Sequence, residues 1–328
     1  MLNADVEVER REFTVRARVR VAPGERVALF GPSGAGKTTV LEAVAGLVPL
    51  ARGTVELGDR TLSGPGLSVP GWQRRVGLLR QDPGLFPHLS VRANLLYART
   101  ARLTEVGALA DALGIGELLP EMPVQLSGGQ RHRVALGRLL LAHCDTLLLD
   151  EPFASLDAPL RRSLTALVRS LVTERSLPSV LVTHQLADAQ AFADRLLIMD
   201  RGAVLQEGPP SEVVLRPASR RVAELVGYLG FVPLPVPSAA VAGVHPERVI
   251  AGAAPERGIT MTAGLVTARP SGAGWEADLV YSDALFTCWL PARPEGSSAV
   301  VTLLDPPCFG PDGEALPARE PRWLNPGG

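Results

Sequence analysis

Apolar and polar positions alternate from Phe13 to Val21, with Phe13, Val15, Ala17, Val19 and Val21 against Thr14, Arg16, Arg18 and Arg20. A period of two predicts a half-buried antiparallel strand, paired with 6–9 and followed by a turn at 22–25. Residues 26–30 form a continuous apolar run, which predicts a buried strand. Val40, Leu41, Val44 and Leu47 then repeat at helical spacing. A hairpin over 53–62, turning at Gly58-Asp59, and a strand at 75–81 follow. From Ser90 to about Ala142 the pattern is helical, with Ser90 as a cap and Leu103, Val106, Leu109 and Leu113 on one face. Buried strands are predicted at 146–150 and 179–183. Between them lies a helix whose apolar face is Leu160, Leu164, Leu167, Val168 and Leu171. A short helix at 186–192 and strands at 196–199 and 203–206 complete an alternation of strand and helix, which predicts parallel strands joined by right-handed crossovers.

The pattern changes after 230. Three prolines in 231–238 predict an extended linker, taken as 231–240. Beyond it 244–251, 258–266, 275–290 and 299–304 read as strands between Gly/Pro turns, with little helical period, which predicts a small barrel or sandwich. The expected organisation is an α/β domain over 1–230 with its helical part at about 88–142, a β-rich domain over 241–317 and a loose tail at 318–328. A length of 328 residues agrees with about two domains.

Composition narrows the partners. The formal net charge of −1 gives no global drive toward nucleic acid or acidic lipid, and no nucleic-acid partner is expected. The arginine pairs at 10–11, 74–75, 161–162 and 220–221 read as solvated faces. The three cysteines are far apart and form no CxxC, which fits a reducing, cytosolic setting. No apolar run is long enough to cross a bilayer and the start has no signal-type run, so a membrane role requires docking onto a partner.

The chemistry concentrates after the strand at 26–30. Gly31, Pro32, Ser33, Gly34, Ala35, Gly36, Lys37 and Thr38 fill G-x-x-x-x-G-K-[ST], with Thr39 next, between a strand and a helix, the pattern of a loop whose N–H groups cradle phosphates. Lys37 would reach the β- and γ-phosphates of ATP, and Thr38 would hold Mg²⁺. Lys37 is the only lysine; every other one of the 33 Lys+Arg positions is arginine. A compact ammonium fits within a ring of backbone amides where a planar guanidinium does not. Asp150 and Glu151 close an apolar strand, as an Mg²⁺ ligand and a general base would. Ser127 can cap a helix whose first residues are Gly128 and Gly129, giving a second anion-binding terminus.

Leu126-Ser127-Gly128-Gly129-Gln130 ahead of Asp150 resembles the signature motif of ABC-type ATPases. Further family elements appear in order: Gln81 as the Q-loop glutamine, Ser155-Leu156-Asp157 as the D-loop and His184 as the switch histidine. The resemblance covers about 1–228. It implies a P-loop NTPase cassette with a mixed sheet core and a helical subdomain. It also implies ATP and Mg²⁺ as cofactors, with Glu151, His184 and Gln81 catalytic and Thr38, Gln81 and Asp150 on the metal. The nucleotide would be held by 31–39 and, from a second subunit of a homodimer, by Ser127, Gly128, Gly129, Gln130 and Asp157. In this family Val8 falls where an adenine-stacking aromatic is usual, and Phe13 is the nearest aromatic. Arg80 stands where a hydrophobic residue is usual.

The segment 81–95, with Phe86, Pro87 and Leu89, resembles the importer form of the surface that receives a membrane permease. Residues 244–249 resemble the opening of a TOBE-like regulatory domain, with His245 in place of arginine. The likeness is greatest to molybdate-importer ATPases, which implies a peripheral subunit on the cytoplasmic face of the membrane, working with permease subunits and indirectly a solute-binding protein. Importers of iron, sulfate, polyamines or sugars, an ABC exporter and a soluble ABC ATPase remain alternatives.

Overall fold

The computed structural model describes residues 1–97, 103–154, 156–234, 240–254 and 258–316, with 103 and 104 as backbone alone. Ser155, the middle of the proline-rich segment and the tail at 318–328 lie outside them. Contacts divide the chain into two compact units, Met1–Pro210 and Ser211–Gly328.

In the first unit, β1 (Leu2–Glu9) pairs antiparallel with β2 (Thr14–Val21), Val8 opposite Val15. The alternation buries Val15, Ala17, Val19 and Val21 and leaves Arg16, Arg18 and Arg20 in solvent. β3 (Arg26–Phe30) leads into α1 (Lys37–Ala45). A hairpin of β4 (Arg52–Leu57) and β5 (Arg60–Gly64) turns at Gly58-Asp59 as predicted, and β6 (Leu67–Ser68) adds an edge. β7 (Val76–Leu79) precedes three helices, α2 (Val91–Leu96), α3 (Leu103–Ala112) and α4 (Gly128–Leu141). The α/β alternation resumes with β8 (Thr146–Asp150), α5 (Ala158–Glu174), β9 (Ser179–Thr183), α6 (Leu186–Phe192), β10 (Arg195–Asp200) and β11 (Ala203–Gly208).

These strands form one 11-stranded sheet in the order β6-β5-β4-β1-β2-β11-β10-β3-β9-β8-β7. It is mixed: β10, β3, β9, β8 and β7 run parallel, whereas β1, β2, β4, β5 and β6 pair antiparallel. β3, β8 and β9 are buried on both faces, which is why 26–30, 146–150 and 179–183 are continuous apolar runs.

Two helical faces differ in detail from expectation. Leu47 is exposed because Gly46 ends α1 in a left-handed turn with φ 77°. In α5 the buried face is Leu164, Thr165, Val168 and Val172.

The second unit carries α7 (Pro210–Leu215), which begins on the last residue of the first unit, and α8 (Arg220–Leu225). β12 (Phe231–Pro233), β13 (Val241–Gly243) and β19 (Cys308–Phe309) form one antiparallel sheet. β14 (Val249–Ala251), β15 (Gly258–Ser271), β16 (Gly274–Tyr281), β17 (Ala284–Leu290) and β18 (Ser298–Leu304) form another, in the order β14-β18-β15-β16-β17. The resulting half-barrel closes over Val232, Met261, Leu279, Phe286, Cys288, Val301 and Leu303. The start of the expected linker is therefore the edge strand β12, where a proline is tolerated. The strand predicted at 275–290 is a hairpin, turning through the positive φ angles of Ser282 and Asp283.

Candidate functional site

The carboxyl ends of three adjacent strands, β3, β9 and β8, deliver the candidate residues to one edge of the sheet. β3 opens into the glycine-rich loop, β9 into His184 and β8 into Asp150 and Glu151. In open α/β sheets this edge is where ligands are held.

Gly36 occupies the cap of α1 at φ 100°, and a Cβ there would lie 2.8 Å from Val15 Cγ2, so only glycine fits. The first bond inside α1 runs from Val40 N–H to Gly36 O, which leaves the N–H groups of Lys37, Thr38 and Thr39 for a ligand. Lys37 is buried and donates from Nζ to Gly31 O and Pro32 O, both at 2.8 Å. Burial pushes its ammonium below the usual lysine range, against the opposing pull of the Glu151 and Asp150 carboxylates. The loop carbonyls thus hold the ammonium where an anion would otherwise meet it.

Thr38 Oγ1 donates to Asp150 Oδ2 at 2.9 Å, tying α1 to the end of β8. Both groups are hard oxygen donors at the edge of the cradle, the set that suits Mg²⁺. Burial raises the Asp150 carboxyl above the ordinary carboxylate range; the Thr38 hydrogen bond opposes the shift and the Glu151 charge reinforces it. A proton therefore competes with a cation at Asp150 at a higher pH than at a solvated aspartate. Mg²⁺-dependent nucleotide affinity should weaken as the pH falls through that raised range, and Asp150→Asn should remove both the affinity gain and its pH dependence in a titration of nucleotide binding against Mg²⁺. A profile flat down to ordinary carboxylate pH would count against this role. The stability sign is opposite. The fold binds the Asp150 proton more tightly than the unfolded chain, so this group costs stability as the pH rises through the same window.

Glu151 stands at φ 53°, and its N–H donates to Val182 O at 3.0 Å. This left-handed position turns its carboxylate across the sheet edge to His184, whose Nδ1 lies 2.7 Å away. His184 is backed by Gln185, whose Oε1 accepts from Arg161 at 2.7 Å; Arg161 also faces Asp188. Arg161 was expected on a solvated face. It is half-buried and braces the segment that carries the histidine.

Ser127 caps α4, its Oγ accepting from Gln130 N–H at 3.2 Å while Gln130 Oε1 accepts from Ser127 N–H at 2.7 Å. This reciprocal box contributes about 1 kcal/mol. It employs the Gln130 amide locally, while Ser127 and Gly128 face solvent. Asp157 likewise caps α5, accepting from Leu160 N–H at 2.9 Å.

Gln81 is exposed beyond β7; among the described residues its side chain is not joined to Thr38 or Asp150. The loop after it is pinned by two residues that sequence reasoning missed. Arg138 of α4 donates to Pro83 O and Gly84 O and lies over the Phe86 ring, 5.2 Å from its centroid. Buried Asn94 holds Phe86, Leu89 and Ser90 through their backbone. Phe86 also packs on Tyr97, whereas Pro87 is exposed. A polar residue on an otherwise apolar helix face was the available signal for Asn94. Arg80, in the place where a hydrophobic or aromatic residue is usual, pairs with Glu42.

A solved dimeric structure of a bacterial ABC transporter cassette superposes with a TM-score of 0.57 at 24% identity, over 64% of this chain and 99% of that one. The first unit has the fold of an ATP-binding cassette. A family model described as ABC transporter matches residues 16–154 of the cassette. The chain is 41% identical over 212 residues to the molybdenum import ATP-binding protein ModC of Mesorhizobium japonicum, covering 62% of this chain and 57% of the relative. It is 40% identical over 211 residues to the Fe(3+) ions import ATP-binding protein FbpC 2 of Rhodococcus jostii, covering 63% and 61%. The chain thus matches about three fifths of the length of these curated relatives.

Proposed function

We propose that this chain is the ATP-binding and ATP-hydrolysing subunit of an importer. The observation that carries the reading is the meeting, at one sheet edge, of the Lys37 cradle, the Thr38–Asp150 pair and the Glu151–His184 pair. ATP would lie with its β- and γ-phosphates on the N–H groups of 31–39 and on Lys37. Mg²⁺, when bound by Thr38 and Asp150 with Gln81, supplies charge neutralisation at the phosphates. Glu151 takes a proton from the attacking water, and His184 orients that carboxylate and reads the γ-phosphate.

Ser127 and Gly128 are exposed, and a helix N-terminus favours anions, so Ser127–Gly129 of one copy would close on the nucleotide held by another. The active form is then a homodimer with ATP between subunits. Permease subunits would dock on the 81–95 loop, with a solute-binding protein feeding them. No helix among the described residues is long and apolar enough to cross a membrane. This agrees with a peripheral subunit on the cytoplasmic face. The half-barrel is read as a TOBE-like regulatory domain, and the likeness to a molybdenum importer supports molybdate or a similar oxyanion as cargo. Ferric iron is the second reading, on the likeness to an iron importer.

The purified chain should release phosphate from MgATP, and Lys37→Ala should lose both turnover and nucleotide binding. Retained hydrolysis in that variant would overturn the site. Reconstituted with its cognate permease, the chain should drive uptake of molybdate over ferric iron; the reverse preference would reassign the cargo.

A further inference from the structure

Phe13 is not free to stack on a nucleotide base. Its ring lies over Gly202, where an added Cβ would sit 2.7 Å from Phe13 Cδ2, and it packs against the core of the first unit. The hairpin between β1 and β2 instead sends a different side chain toward the phosphate cradle. Arg10 donates to Thr39 Oγ1 from Nε at 3.2 Å and from its terminal nitrogen at 3.0 Å. Thr39 lies in the first turn of α1, where the free N–H groups gather. The same guanidinium meets Glu42 at 3.3 Å, and its side chain is still 38% exposed. Lys37 Nζ meanwhile lies on the carbonyls of Gly31 and Pro32. The cradle therefore has two cations, one on the loop and one beyond the first turn of the helix.

We propose that Arg10 is a nucleotide-binding residue, its guanidinium contacting the α-phosphate beside Thr39. This rests on the cassette reading above. The cradle holds the α- and β-phosphates against the loop and helix start, and Lys37 serves the β/γ end. A planar guanidinium offers two parallel N–H groups to a phosphate, and both now donate to one neutral hydroxyl, the weaker of the two acceptors. Glu42 balances the guanidinium charge, and Arg80 on the other Glu42 oxygen limits its hold on Arg10.

The test is nucleotide affinity of the full chain, measured by calorimetry with MgADP and MgATP. Arg10→Ala should weaken both about tenfold, as expected for loss of one charge-assisted phosphate contact. Arg10→Lys, which keeps the charge without the fork, should recover part of the loss. Unchanged affinity in Arg10→Ala would overturn the proposal. Glu42→Gln separates binding from bracing. A purely structural Arg10–Glu42 contact predicts the same loss as Arg10→Ala, whereas a phosphate-binding Arg10 predicts affinity that holds or improves. Equal losses in the two variants would therefore also overturn it. Wild-type affinity in Lys37→Ala would instead remove the cassette reading itself, a different result from a failure at Arg10 alone.

Discussion

Glu151→Gln should lower ATP turnover about a thousandfold while leaving ATP affinity within about twofold of wild type, the scale of a lost general base. The geometry makes the substitution clean. Glu151 sits at φ 53°, a conformation that an unbranched side chain tolerates better than a β-branched one. Glutamine keeps the length, and its amide can still bond His184, which lies 2.7 Å from the present carboxylate. Lys37, Thr38 and Asp150 are untouched, so binding is spared. With hydrolysis removed, ATP should trap a stable dimer, visible as a shift from monomer to dimer on size exclusion only when ATP is present. Turnover within about tenfold of wild type would take Glu151 out of the base role.

Arg74→Ala should cost about 3–5 kcal/mol of stability, the range for leaving two or more buried acceptors without donors at about 1–3 kcal/mol each. That corresponds to a fall in melting temperature of about 10 °C. Arg74 is 1% exposed, and among the described residues no carboxylate pairs with it. Its guanidinium donates to Val69 O at 2.7 Å, to Ala43 O and Val44 O at 3.2 and 2.9 Å, and to Ser63 Oγ at 2.8 Å. Burial pulls its pKa below the usual arginine range. The negative end of α1 and the neutral oxygens around it are what hold the charge. Truncation leaves several buried oxygens without donors at once, which is the expensive outcome. Arg74→Lys should recover only part of the loss, because one ammonium cannot span this set of acceptors. A shift under about 2 °C in differential scanning calorimetry would contradict the assignment.

Arg74 also marks where the sequence stops being legible. Residues 26–30, 146–150, 179–183 and 186–192 have the predicted bounds because burial on both faces or a strong helical period is written in the residues themselves. The phosphate loop and the Ser127 cap are equally local, depending on glycines and on a hydroxyl three residues before the amide it accepts from. Arg74-Arg75 is different. Two adjacent arginines do not say which one points inward, and the acceptors that draw Arg74 in are the last carbonyls of α1, the Val69 carbonyl and the Ser63 hydroxyl of β5, brought together only by the fold. Gly46 shows the matching constraint from the other side: a Cβ there would lie 2.3 Å from Arg74 Nε. Arg161 under His184 and Arg138 over the 81–89 loop were hidden for the same reason, since each acts through partners distant in the chain. The β12 strand was read as a linker because its prolines are visible in the sequence and its pairing with β13 is not.

The solitary lysine has a practical consequence. Apart from its α-amino group, the chain holds one primary amine, and that amine lies on the loop carbonyls with its pKa lowered by burial. An amine-selective acylating reagent has a single side-chain target, set within the glycine-rich loop. With the α-amino group blocked beforehand, a mass increment on the intact chain then reports access to Lys37 alone, with no background from other lysines.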